Sequence, residues 1–219
     1  MRALALVLFC CLAGLAKASN EAMQRFTQLN ADPVLRQQAY EAGHERIRFC
    51  GNCHGENGNS RRPHIPNLAQ QNPVYLFNAF EKFASGERSD YVMSKLAPNL
   101  SLEDRVNVAI YFGQQQLQGH EAAVDPALRQ DGEATFKTLC TGCHGMNAEG
   151  RDNTPRLAGQ PAEYLRRALT RFRDKDPRRA GSVMMSIADG FSDRRIAALA
   201  AYLQQLQPQA ELSLGEVRR

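Results

Sequence analysis

The sequence reads as an all-α protein built from two similar small domains. Three observations carry that reading. The chain contains one unit twice, with matching residues at a near-constant offset. Its apolar residues recur at helical spacing, and serines stand where helices begin. No pair of alternating β-branched runs is present that would form a hairpin. The length of 219 residues suits two domains of about 100 residues each. A hydrophobic content of 43% with 23% charged residues is that of a globular chain, neither a disordered one nor a membrane bundle.

The repeat is legible residue by residue. Cys50-Gly51-Asn52-Cys53-His54-Gly55 answers Cys140-Thr141-Gly142-Cys143-His144-Gly145. Pro66, Leu68 and Ala69 answer Pro155, Leu157 and Ala158, Tyr75-Leu76 answers Tyr164-Leu165, and Phe83 answers Phe172. From Arg88 onward the offset is a constant 91, pairing Arg88 with Arg179, Met93 with Met184, Ser101 with Ser192 and Tyr111 with Tyr202.

Each copy reads as three main helices. The stretch from Pro33 to about Phe49 is rich in helix formers and leads into the first Cys-x-x-Cys pair; Ala127 to Leu139 does the same for the second. Asn72–Ala84 and Pro161–Arg173 have apolar residues about 3.6 apart. Ser101 and Ser192 are N-caps with acidic residues following, and their helices run to about Gln114 and Gln205. Gln-rich residues 116–126 read as a linker between a first domain at 19–115 and a second at 127–207, with a polar tail at 208–219.

The first residues read as a secretory signal. Arg2 supplies the positive start, Ala3 to Ala16 the apolar run, and Ala16-Lys17-Ala18 the cleavage pattern, so export with cleavage after Ala18 is expected. The run is shorter than the roughly 20 residues a membrane-spanning helix needs; a retained anchor is the alternative. Without Arg2 and Lys17 the chain has 25 basic and 23 acidic side chains, too even a balance for a nucleic-acid partner.

Beyond Cys10 and Cys11 in the signal, the cysteines are Cys50, Cys53, Cys140 and Cys143. In an exported protein a disulfide is the default reading of such pairs. The histidine after each pair changes it, because Cys-x-x-Cys-His is the attachment signature of c-type haem. Two thiols at this spacing can join the two vinyl groups on one edge of a porphyrin, and the adjacent histidine is then held at the iron. One zinc bound by all four cysteines would need a far shorter gap than the 87 residues between Cys53 and Cys140. A thioredoxin-like pair would need a βαβ pattern. Two covalent haem c groups are therefore expected, with His54 and His144 as axial ligands.

The other axial position falls to Met93 and Met184, which align in the repeat and each stand eight residues before a serine cap. A methionine thioether favours reduced iron. Met185 competes with Met184. His44, His64 and His120 have no repeated counterparts and read as solvated. The basic residues Arg171, Arg173, Lys175, Arg178 and Arg179 read as a solvated helix end and loop or as a docking or propionate site; Arg88 and Arg179 are the better propionate candidates, because the repeat keeps them five residues before each methionine.

Two such units with Pro-x-Leu-Ala stretches, a methionine and a serine-capped last helix resemble the dihaem cytochrome c4 family over roughly residues 36–206. The resemblance implies two tandem class I cytochrome c domains joined by a short linker and related by an approximate two-fold axis. It implies that the carbonyls of Pro66 and Pro155 receive the ring N–H of the proximal histidines, and that the first and last helices cross near Phe49 with Tyr111 and near Leu139 with Tyr202. It implies a periplasmic electron carrier rather than an enzyme, often membrane-associated. The donor would be a quinol-oxidising complex or a dehydrogenase, and the acceptor a terminal oxidase. The alternatives are a dihaem subunit serving one dehydrogenase, or a haem enzyme such as a peroxidase or thiosulfate dehydrogenase. The copies differ at Gln70 against Gly159, and at Asp174-Lys175-Asp176-Pro177, where the second loop is longer by two residues.

Overall fold

A computed structural model describes residues 22–119 and 123–207; the signal segment, His120 and the polar tail lie outside the described residues. A first helix, α1, covers residues 22–31. The first repeat follows as α2 (Pro33–Arg46), α3 (Arg48–His54), α4 (Pro73–Ser85), α5 (Met93–Leu96) and α6 (Leu102–Gly113). The second is α7 (Pro126–Leu139), α8 (Thr141–His144), α9 (Ala162–Arg173), α10 (Met184–Ile187) and α11 (Asp193–Gln205). Among the described residues there is no strand beyond one isolated bridge, Arg151–Thr154, and no helix long and apolar enough to cross a membrane.

Aspartate-proline pairs start the first long helix of each repeat. Asp32 Oδ1 accepts from the Val34 and Leu35 amides at 2.8 and 3.0 Å, and Asp125 Oδ1 from Ala127 at 2.9 Å. Proline at the first helical position gives up no helix hydrogen bond. The last helices are the most buried. Val106, Val108, Ala109, Ile110 and Phe112 of α6 are inaccessible to solvent, and so is Ala200 of α11. The first and last helices of each repeat cross at a glycine. A β-carbon on Gly43 would lie 2.4 Å from the Asn107 carbonyl oxygen, and one on Gly132 2.0 Å from that of Ala198. Tyr111 and Tyr202 sit at these crossings as expected, but their partners lie earlier in the helices. Tyr40 is 5.0 Å from Tyr111 and Phe136 5.6 Å from Tyr202, between ring centroids. Phe49 and Leu139 are exposed instead: the chain turns after the crossing to present the cysteine motif.

Helix α1 has no counterpart among the described residues of the second repeat. Its Ala22, Phe26 and Leu29 are buried in the first core, with Phe26 stacked on Phe77 at 5.2 Å. Phe77 occupies the position of Arg166, which is exposed.

Ser101 and Asp104 form a full capping box. The Ser101 hydroxyl accepts from the Asp104 amide at 3.0 Å, and the Asp104 carboxylate accepts from the Ser101 amide at 3.1 Å and pairs with Arg46 at 3.0 Å. Burial is the largest single influence on the Asp104 carboxyl and raises it, but the Ser101 donors and Arg46 together outweigh it and hold it below its ordinary value. A depressed folded value means stability present above the unfolded carboxylate range and lost as pH falls through the folded one. Asp104→Asn is therefore expected to cost about 1 kcal/mol at pH 7. The difference from wild type should shrink as the pH falls below the ordinary carboxylate range, read by guanidinium unfolding across a pH series.

Candidate haem sites

Each Cys-x-x-Cys-His run follows directly on the first long helix of its repeat, so packing of that helix sets the position of the motif. Cys50, Cys53, Cys140 and Cys143 are all free thiols. Cys50 and Met93 both pack against the first core, and Cys140, Met184 and Met185 against the second. Burial raises both the Cys50 and Cys140 thiols, Cys140 to about 11 with help from Cys143.

The two histidines are fixed alike. His54 Nδ1 donates to the Pro66 carbonyl at 2.9 Å, and His144 Nδ1 to that of Pro155 at 3.0 Å. A carbonyl can only accept, so Nδ1 carries the proton and Nε2 presents its lone pair. Burial lowers both imidazoles against the opposing effect of these bonds, which keeps them neutral and competent as ligands.

Met93 and Met184 each open a four-residue helix. The Met93 amide donates to Asp90 Oδ1 at 3.3 Å, and the Met184 amide to Ser182 Oγ at 3.3 Å. Asp90 also acts through its charge on His54, raising it, so the carboxylate bonded to the methionine turn is felt at the histidine of the first site. The second site has a neutral hydroxyl in that place.

Arg88 and Arg179 meet where the domains touch. Each guanidinium lies over a phenylalanine of its own domain, Phe83 at 4.5 Å and Phe172 at 4.6 Å. Arg88 Nη1 donates to the Tyr75 hydroxyl at 3.3 Å. Burial pushes Tyr75 up, but Arg88 and Arg179 outweigh it and hold it below its usual value. Burial and the neighbouring Arg88 both lower Arg179. Neither arginine has an ion pair with a described carboxylate. Two half-buried cations without a described counter-ion call for anions at the seam, which haem propionates would supply. Three of the four remaining basic residues are ion-paired: Arg173 with Asp174 and Asp193, Lys175 with Asp189, and Arg178 with Asp176. His44 and His64 are exposed, as expected.

The longer second loop has a use the repeat did not reveal. It forms the turn Pro177–Arg179, and the Arg178 carbonyl accepts from the Ser89 amide of the first domain at 3.0 Å. The Tyr164 amide likewise donates to Pro63 at 3.0 Å, and Asn72 Nδ2 to Thr154 at 2.6 Å. The seam is thus largely polar.

The donor set fits haem c in both copies: two thiols, an oriented neutral imidazole and a thioether on a capped turn. Comparison with known proteins agrees. The cytochrome c family model matches residues 130–207. Cytochrome c4 of Pseudomonas aeruginosa is 37% identical over 177 residues, 75% of this chain and 87% of that protein. The crystal structure of reduced recombinant cytochrome c4 from Pseudomonas stutzeri superposes with a TM-score of 0.69 at 34% identity, over 76% of this chain and 98% of that one. A thiosulfate dehydrogenase electron acceptor of Thiomonas intermedia is 31% identical over 73% of this chain and 80% of its own length. With both copies of the haem-attachment motif embedded in the same helical frame as these relatives, the chain belongs to the cytochrome c4 family of dihaem c-type electron carriers, with two covalently bound haem groups.

Proposed function

We propose that the protein is an exported periplasmic carrier that accepts single electrons from a quinol-oxidising complex or dehydrogenase and delivers them towards a terminal oxidase. Haem c supplies the one-electron iron couple. Cys50 and Cys53 hold one haem and Cys140 and Cys143 the other. His54 with Met93 would supply the protein ligands to one iron and His144 with Met184 those to the other, leaving neither open. Pro66 and Pro155 orient the imidazoles, and Arg88 and Arg179 receive propionates at the seam. The observation that carries this reading is that a histidine held on a proline carbonyl and a methionine opening a short helix recur in both repeats. Two closed axial positions favour electron transfer over chemistry at the iron. The signal and its cleavage after Ala18 belong to the same reading.

The test is a redox titration of the purified holoprotein, followed in the visible and near infrared, with oxidation by oxidase-containing membranes. Two low-spin, methionine-ligated haems that the membranes oxidise are expected. A high-spin haem that binds added ligands, or turnover of peroxide, would overturn the carrier reading. Similarity to a protein named as an acceptor for thiosulfate dehydrogenase favours a second reading, in which one dehydrogenase is the dedicated donor. Direct reduction by that enzyme with thiosulfate, at a rate quinol-oxidising membranes do not match, would select it.

A further inference from the structure

The histidine-to-proline bonds do not end at the carbonyls. In the first domain the peptide whose carbonyl receives His54 has its N–H on Asn67. That N–H donates across the seam to Gln160 Oε1 at 3.0 Å, and Gln160 Nε2 donates back to the Asn67 carbonyl at 2.8 Å. In the second domain the corresponding peptide has its N–H on Arg156. That N–H donates to Gln71 Oε1 at 2.7 Å, and Gln71 Nε2 donates back to the Arg156 carbonyl at 2.9 Å. Pro66 and Pro155, Asn67 and Arg156, and Gln71 and Gln160 all share the offset of 89. Each glutamine is held in the same turn, the Gln71 amide on Leu68 and the Gln160 amide on Leu157, both at 3.2 Å. All four seam residues are buried: Asn67 at 2%, Gln160 at 3%, Gln71 at 4% and Arg156 at 7% exposure. Water therefore does not stand in for either amide.

We propose that Gln71 and Gln160 are crossed positioning residues, each tuning the proximal histidine of the opposite domain and so the potential of the opposite haem. The proposal rests on the reading of His54 and His144 as axial ligands. The peptide bond is conjugated, so an acceptor at its N–H draws charge onto its carbonyl oxygen. Hydrogen bonds in such a chain strengthen one another by about 10–30% each. A stronger acceptor at Nδ1 makes the imidazole a better donor at Nε2. That favours oxidised iron and lowers the potential.

The test uses full-length holoprotein, with the potential of each haem read separately from its own paramagnetically shifted methyl resonances. Gln71→Met keeps the side chain's size and removes the acceptor. It should shift the reduced-to-oxidised equilibrium of the haem on Cys140 and Cys143 upward two- to fivefold, about 20–40 mV for one electron. The haem on Cys50 and Cys53 should stay put. Gln160→Met should do the reverse. Gln71→Glu keeps an acceptor with more negative charge and should move the second haem downward, which holds the test open if the methionine variant fails to fold. A shift confined to the substituted residue's own domain, an equal shift of both haems, or none at all overturns the proposal. If the histidines are not the ligands, the wild-type protein itself will lack the low-spin histidine signature, a failure distinct from an unmoved potential in an intact low-spin protein.

Discussion

Met184→Ala will remove the near-infrared sulfur-to-iron band of the second haem and lower its potential, while Met185→Ala will leave both unchanged. The two side chains are neighbours and both pack against the second core, so burial does not separate them. Backbone anchoring does. Met184 is the first residue of its short helix, as Met93 is of the first domain's, and the amide of each is tied to a side chain two or three residues earlier. The Met185 amide bonds instead to the Ser182 carbonyl at 3.0 Å, one position further round the turn. Each site thus has a methionine at the head of its short helix whose amide is held by a preceding side chain, Asp90 in the first and Ser182 in the second. Axial ligands set haem potentials across about 0.8 V, and loss of the thioether removes the ligand that favours reduced iron, so a fall on the order of 0.1 V or more is expected. Met93→Ala should do the same to the first haem alone. A band that survives Met184→Ala and disappears in Met185→Ala would transfer the ligand by one residue.

The haem sites were legible in the sequence because the chemistry of attachment is local. Two thiols and an imidazole must come from one short run, and the duplication shows which distant methionine goes with it. The starts of the last helices were legible for the same reason: Ser101 and Ser192 cap their own backbone within three residues. The seam was not legible. Its bonds join residues more than 80 apart, and a glutamine that clamps a foreign peptide looks like any surface glutamine. The repeat carried one clue: Gln71 and Gln160 share an offset with the prolines, although the difference between Gln70 and Gly159 beside them drew attention instead. Those two positions share the left-handed backbone, at φ 54 and 70°, and donate to the matching Phe112 and Leu203 carbonyls, so the difference in residue type hides a common turn. Helix α1 was missed too. The clue lay on α4, where Phe77 stands against Arg166: an extra apolar residue on one copy alone needs something to cover it.

Gly132→Ala should be the most damaging small substitution in the second domain, although in an exposed helix the same change stabilises by about 1 kcal/mol. The sign reverses because the added carbon would sit 2.0 Å from the Ala198 carbonyl oxygen and 2.9 Å from Tyr202 Cβ. Neither is the free end of a flexible chain. The oxygen belongs to the backbone of a buried helix, so α7 and α11 must separate. Overpacking of this kind costs about 1–3 kcal/mol, and the rigid backbone puts this site at the upper end. A loss of about 3 kcal/mol corresponds to a fall of roughly 10–20 °C in the unfolding midpoint of a domain this size. Gln130→Ala, on the exposed face of the same helix, should stay within about 0.5 kcal/mol. The damage will also reach the haem site. Helix α7 ends at Leu139 and runs directly into Cys140, whereas Pro155, which holds His144, follows from a separate loop. Moving α7 away from α11 shifts the cysteines and the histidine against that carbonyl. Reduced haem attachment in the second domain is therefore expected together with the lower midpoint, and Gly43→Ala, at 2.4 Å from Asn107 oxygen, should produce the same pair of losses in the first. A fully loaded Gly132→Ala protein that melts with the wild type would show that the crossing can widen without cost and that the motif is positioned by something other than the helix that leads into it.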